Sequence, residues 1–244
     1  EYLNKEKLSK EFIDYHIIPM VAAIWSMPPY EASQMPLSFF LKFFQNHGLF
    51  KLKNRPQWYT VSNRSRAYVN KILNKISGEH YKNYKINLIK RHKENIEIFY
   101  GEKNEFFSYD KVVIATHADQ ALSLLENPSE NEKKLLSNFK YKKNLAVIHT
   151  DKNQMPKNKK AWSAWNAKLN KNVIENSSIT YWLNLLQNLK FNEDIFLSLN
   201  PFDEIDEQKI LNKVMFTHPY YDKLALENQT RLKKLQNVNN TLFC

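Results

Sequence analysis

Glycine is almost missing from this chain. Three occur in 244 residues, at Gly48, Gly78 and Gly101, and none stands where a strand would hand over to a helix. Within these residues that excludes a GxGxxG phosphate loop, which needs glycines for its tight turn and for close approach of backbone to a pyrophosphate. It also excludes the GxSxG elbow of serine hydrolases. Cysteine is scarcer still. Cys244 stands alone, which rules out an internal disulfide and a cysteine-based zinc site and fits a reducing, cytoplasmic setting. No apolar run reaches the roughly 18 residues of a membrane-spanning helix. The opening EYLNKEKLSKEF is too polar for a secretory signal.

What is present is an ordinary stock for burial, 43% hydrophobic residues, and a formal charge of +11. Such a charge invites nucleic acid, because lysines that neutralise phosphates release counterions. The lysines are spread through the chain together with abundant asparagine, however, and no helix-turn-helix, RNP-like or zinc-finger pattern accompanies them. The expectation is no nucleic acid. Charge alone leaves a peripheral contact with anionic membrane surfaces open.

Residues 1–50 read as helical. Ile13, Ile17, Ile18 and Val21 recur at helical spacing, Pro19 should kink the run, and Met27-Pro28-Pro29 should stop it. A second apolar helix, Leu37 to Phe44, ends near Asn46-His47-Gly48, where glycine suits a C-cap. A polar extended stretch through Pro56 and Trp58 follows. A helix is then expected from Ser62, with Tyr68, Val69, Ile72, Leu73 and Ile76 on one face and Gly78 closing it.

The period then shifts to two. Ile86, Leu88, Ile96, Ile98, Phe106 and Phe107 sit in short segments separated by polar turns, and Val112 to Ala115 ends the set as a β-meander feeding a buried strand. The stretch KVVIATHADQALSLL (111–125) thus reads as strand, short turn and helix, the arrangement that offers a cofactor to the carboxyl end of a strand. Residues 129–138 read as a charged helix, with Glu130 and Glu132 in its first turn. Three further strands are expected at Asn144–Thr150, Ser178–Leu183 and Asp194–Asn200, and Lys152–Lys160 is a lysine-rich loop. There is no internal repeat.

Several stretches together resemble one family. They are IPMVAAIWSMP (18–28), FFQNHGLF (43–50), RPQWYTV (55–61), SRAYV (65–69), KVVIATHADQALSLL (111–125), NLAVIHTD (144–151), MPKNKKAWSAWN (155–166), ITYWLNLLQ (179–187) and LSLNP (197–201). In order and spacing they are similar to bacterial FAD-dependent oxidoreductases of the flavin amine oxidase and phytoene desaturase superfamily. The resemblance covers almost the whole chain, and IATHADQAL and MP-x4-AW-x2-WN are its specific parts.

That resemblance implies an α/β fold in which part of an FAD/NAD(P)-binding, Rossmann-like domain is interleaved with an α+β substrate domain containing a mixed sheet. The expected division is 1–55 as the helical part of the substrate domain and 56–125 as the later half of the FAD-binding domain. Residues 126–220 would supply the substrate-domain sheet and helices, and 221–244 a return toward the FAD-binding domain. The chain begins without methionine in a polar helical pattern and stops at Thr241-Leu242-Phe243-Cys244, which resembles the first half of a buried strand. The expectation is a central piece of the enzyme, inactive alone, with the glycine loop before Glu1 and a flavin-contacting segment after Cys244.

The resemblance also assigns residues. Ala115, Thr116 and His117 match the turn that approaches the FAD pyrophosphate and ribose, where small side chains let backbone come close and Thr116 supplies a hydroxyl. Ile86 matches the apolar residue whose main chain holds the adenine edge. The family has two glycines where Asn63 and Arg64 stand, followed by Ser65; those glycines permit positive φ, which asparagine tolerates and arginine adopts at a cost. Aromatic residues line the space above the flavin ring in related enzymes, so Trp58, Trp165 and Trp182, with Ser65 and Arg66, are the candidate substrate pocket, alongside ordinary core packing for each tryptophan. Arg64 or Arg66 can offer charge to an anionic substrate group.

The implied chemistry is hydride transfer to flavin from a small amine or a lipid-like, polyene substrate, with no catalytic acid or base assigned and no metal. His47 reads as a helix-terminal cap, and His149 and His218 lack metal-ligand spacing. Two rivals stand beside this reading: a basic module for nucleic acid or membrane surfaces, and a redox-inactive protein of the same fold. Oligomeric state is open.

Overall fold

The computed structural model describes residues 5–25, 27–169 and 177–244. The first four residues of the opening polar pattern, Ser26 and the segment 170–176 lie outside them. The chain forms two compact units, each discontinuous in sequence: residues 1–74 with 142–218, and residues 75–141 with 219–244.

The first unit opens with α1 (Lys10–Phe12), a π-helical turn at Ile13–Ile17 and α2 (Ile18–Trp25). Pro19 has no N–H to return to the preceding turn, and the helix accommodates it with a widened turn just before the proline. Short α3 (Pro29–Ala32) and α4 (Leu37–Asn46) follow. Val21, Ala22, Met27, Ala32, Phe40 and Phe44 form their common core. Gly48 ends this region for two physical reasons. Its φ is +63°, and a Cβ there would sit 2.8 Å from Pro56 Cδ.

The expected helix from Ser62 is α5 (Arg64–Leu73), and its apolar face is not covered: none of its residues is buried. Asn74, not Gly78, closes it, returning its N–H to Asn70 O.

The second unit holds the meander β1 (Ile86–Arg91), β2 (Ile96–Tyr100) and β3 (Glu105–Tyr109), joined antiparallel in sequence order. β4 (Val112–Ile114) follows, then α6 (Ala118–Leu124) and α7 (Glu130–Leu136). Ile89, Ile96, Val112, Ile114, Ala121 and Leu125 make the core between meander, strand and helix.

The chain then enters β5 (Lys140–His149), β6 (Trp165–Leu169), β7 (Ser177–Trp182), a one-turn α8 (Leu183–Leu186), β8 (Phe196–Leu199) and β9 (Ile210–Tyr220). These strands form one sheet in the order β6-β7-β8-β5-β9, with β6–β7, β7–β8 and β5–β8 antiparallel. β6 and β9 are additions to the sequence reading. Both are edge strands, and β9 exposes most of its residues on both faces, so neither shows the buried alternation that marks a strand in sequence. Finally α9 (Lys223–Gln229) leads to β10 (Thr241–Phe243), which pairs with β4 in parallel. Among the described residues, no helix is long and apolar enough to cross a membrane.

Candidate cofactor-facing turn

The site follows from one strand pair. Thr241, Leu242 and Phe243 lie opposite Val112, Val113 and Ile114, and Cys244 N–H donates to Ile114 O at 3.1 Å, so β4 is held to its last residue. Val112 and Ile114 are buried and Val113 is not, as the pleat requires. Beyond Ile114 the chain leaves the sheet at its carboxyl end. Ala115 and Thr116 are exposed there and His117 is half-buried. The Thr116 hydroxyl donates to His117 O at 3.2 Å, and Ala121 N–H donates to the same carbonyl at 2.7 Å to start α6.

His117 caps α6 without a side-chain hydrogen bond. Tyr141 serves that end of the helix instead: its hydroxyl accepts from Ala118 N–H at 2.7 Å, and its ring stacks on the His117 imidazole at 4.2 Å and 12°. Burial pushes the Tyr141 phenol above its ordinary pKa, so it remains neutral. A cavity of about 160 Å³ beside the turn is walled by Ile114, Thr116, Leu136, Phe139, Tyr141 and Phe243. Tyr141 was not foreseen from sequence. It lies 23 residues beyond Ala118, and nothing in the linear pattern links the two.

Ile86 opens β1 opposite Tyr100, with its side chain against the cluster that contains Ile114. The connection after α6 is fastened nearby. Arg91 donates to both oxygens of Glu132 at 2.5 and 2.9 Å and to Asn127 O at 2.8 Å. Burial pushes the Glu132 carboxyl up, but Arg91 and the Ser129 backbone and hydroxyl outweigh it and hold it below the usual range. Ser129 and Glu132 also form a complete capping box for α7.

The pocket candidates are dispersed within the first unit. Trp58 is exposed and stacks on His47 at 5.9 Å. His47 Nδ1–H donates to Phe43 O at 2.8 Å, which makes it a helix-end cap. Ser65 and Arg66 lie exposed in the first turn of α5. Asn63 and Arg64, before them, have φ of +62° and +64°, the left-handed conformation that glycines would adopt freely. Trp165 is opposite Tyr181 in the β6–β7 register, so it projects from one face of the sheet while Trp182, the next residue on β7, projects from the other.

The Trp182 indole is engaged locally. It donates to Asp194 at 3.1 Å and meets Trp162 edge-on at 5.3 Å, and the Lys159 ammonium lies 5.0 and 5.8 Å over the two rings. Burial pushes the Asp194 carboxyl up, and Lys152 and Lys159 outweigh this to hold it below the ordinary range.

One further cluster resembles hydrolytic machinery and is not. His149 and Ser198 are fully buried with Nε2 2.8 Å from the serine hydroxyl, which is 2.7 Å from Thr180. The other ring nitrogen, Nδ1, accepts the Asp151 backbone N–H at 3.1 Å. Nε2 therefore carries the proton and donates to Ser198, so it cannot act as a base toward that hydroxyl. Burial lowers the His149 pKa, partly opposed by Asp151.

No family model matches the chain, and no curated protein matches it. Solved structures do resemble it. Cyclohexylamine oxidase from Brevibacterium oxydans IH-35A superposes with a TM-score of 0.59 at 12% identity, over 100% of this chain and 60% of its own. A protein provisionally named a protoporphyrinogen oxidase, from Exiguobacterium sp. 255-15, gives 0.60 at 10% identity over 98% and 60%. At such identity the likeness shows the fold alone, a mixed α/β fold found in oxidases. The chain spans about 60% of the length of each of these two.

Proposed function

We propose that the protein carrying this chain is an FAD-dependent oxidoreductase of the amine-oxidase type, taking a hydride from a small amine or a lipid-like substrate. One observation carries the reading. The parallel pair β4–β10 ends in an exposed turn of small residues, Ala115 and Thr116, within a fold shared with named oxidases. Ligands of open α/β sheets bind outside the carboxyl ends of strands, where this turn lies.

The residues present fit a dinucleotide. Ala115 and Thr116 are small and exposed, which leaves the main chain of the turn accessible. Ala115, Thr116 and His117 would hold the pyrophosphate and ribose side, and the Ile86 main chain the adenine edge. Bound flavin would supply the hydride acceptor. The chain's own side chains would orient substrate and exclude water, with Trp58, Ser65, Arg66, Trp165 and Trp182 as pocket candidates; no acid–base pair is assigned. The division expected from sequence, with 56–125 and 221–244 serving the cofactor and 1–55 and 126–220 the substrate, is part of this proposal.

The test is the visible spectrum of the protein purified from its full reading frame. Flavin absorption bands that release FAD on denaturation are expected. A folded, colourless protein that takes up no added FAD sinks the reading, and salt-sensitive retention of nucleic acid in such a sample would favour the basic-module alternative.

A further inference from the structure

We propose that Tyr141 is a positioning residue for the cofactor-facing turn: it fixes the backbone at His117-Ala118 so that Ala115 and Thr116 are presented in one conformation. The inference rests on the flavoprotein reading above. It assigns a role to a residue that the motif resemblance leaves out.

Ala115 and Thr116 are exposed, and the Thr116 hydroxyl is spent on the adjacent His117 carbonyl. α6 is only seven residues long, and its cap residue makes no side-chain capping bond to the helix. Such a helix start leaves orphan N–H groups and a chain direction that packing must determine. Tyr141 meets both needs. Its hydroxyl takes the Ala118 N–H at 2.7 Å while its ring lies flat on His117 at 4.2 Å, so one side chain grips two consecutive residues by independent interactions.

Tyr141 stands at the start of β5 and shares a cavity wall with Leu136 and Phe139. It therefore couples the turn to the body of the same unit. One chemical consequence follows. The Ala118 N–H at the start of α6 is occupied by the Tyr141 hydroxyl, so it is not available to a phosphate or ribose. A turn already held in its bound conformation loses less freedom when ligand arrives, and that difference appears as affinity.

Tyr141→Phe keeps the stack and removes the hydroxyl; Tyr141→Leu removes both. In protein from the full reading frame, Y141F should weaken FAD binding about three- to tenfold, the range for one hydrogen bond, and Y141L should weaken it further. Affinity is read by titrating flavin-free protein into FAD and following flavin fluorescence. In the same flavin-free samples, backbone hydrogen exchange at residues 115–119 should be faster in Y141F than in the parent. Leu235→Ala is the control, since it removes a buried side chain from the same unit and should lower the melting temperature.

If Y141F binds FAD as tightly as the parent, or if L235A loses as much affinity per degree of melting temperature lost, the positioning role is overturned and the flavoprotein reading stands. If the parent binds no flavin, the functional reading falls, and unchanged exchange at 115–119 in Y141F would show separately that Tyr141 does not hold the turn.

Discussion

The unit containing the meander buries a pair of full charges, Arg91 and Glu132, whereas the unit containing the larger sheet buries a neutral chain of polar groups, His149, Ser198 and Thr180. Both clusters are inaccessible and well bonded, and either can be mistaken for catalytic machinery. Their geometry assigns them different work. The ion pair joins the end of β1 to the start of α7 across 41 residues and, through Asn127 O, fastens the loop that follows α6. The neutral chain links β5, β7 and β8 and leaves the imidazole in a single tautomer. Burial with full hydrogen bonding thus reports architecture in both places, while Ala115 and Thr116 of the candidate turn are exposed.

The comparison breaks first at the ion pair. With side-chain exposures of 6% and 1%, neither partner can turn to water when the other is removed. Arg91→Leu should cost about 3–5 kcal/mol in denaturant unfolding, because it strands a buried carboxylate. Replacing both, as Arg91→Met with Glu132→Leu, should recover most of that loss. A single variant losing less than about 1 kcal/mol would show that the pair is solvated, as surface pairs of that value are.

Acid separates the two clusters in a second way. His149 has a lowered pKa in the fold, so below the unfolded value near 6.5 the unfolded chain takes up a proton that the native imidazole refuses. Stability contributed by neutral His149 is therefore complete above that pH and falls as pH drops from it toward the folded pKa, with a slope of at most about 1.4 kcal/mol per pH unit. Glu132, also lowered, contributes stability that is full above its unfolded pKa near 4.5 and disappears only as pH falls through the lower folded value. His149→Gln can keep both a donor toward Ser198 and an acceptor for Asp151 N–H. It should flatten stability as pH falls below about 6.5 while leaving the acid limb below about 4.5 in place. An unchanged profile in that upper window would show that His149 does not contribute to it.

The parts legible in sequence share a local cause. The apolar spacing of 13–21 and 37–44, the shift to period two at Ile86, and the strand at Val112 all reflect neighbours within a few residues of one another. The interior strands of the larger sheet were legible because they are buried, and edge strands β6 and β9 were not because neither buries a residue. The capping box at Ser129–Glu132 has a spacing of three, yet the role of Glu132 depends on Arg91, whose partnership no local pattern records. The same holds at the candidate turn. Ala115-Thr116-His117 could be picked out as a motif, but its support from Tyr141 comes from elsewhere in the fold. Trp165 and Trp182 illustrate the converse, because both are pocket candidates in sequence and the strand register puts them on opposite faces.

The smallest expected effect concerns Asn63-Arg64, where the chain holds a glycine-like conformation without glycine. Arg64 at φ +64° bears the left-handed penalty of an L-residue, about 1–2 kcal/mol. Arg64→Gly removes that strain but adds freedom to the unfolded chain, a loss of about 0.4–1 kcal/mol. The net should be a gain between zero and about 1.6 kcal/mol, visible as a small rise in melting temperature. Arg66→Gly, two residues on and inside α5, should instead lose about 0.5–1 kcal/mol, since helical backbone there gives glycine no advantage. The opposite signs are the test. If R64G destabilises as much as R66G, the left-handed backbone at Arg64 is not strained in the native protein, and the likeness to a paired-glycine turn loses its physical support.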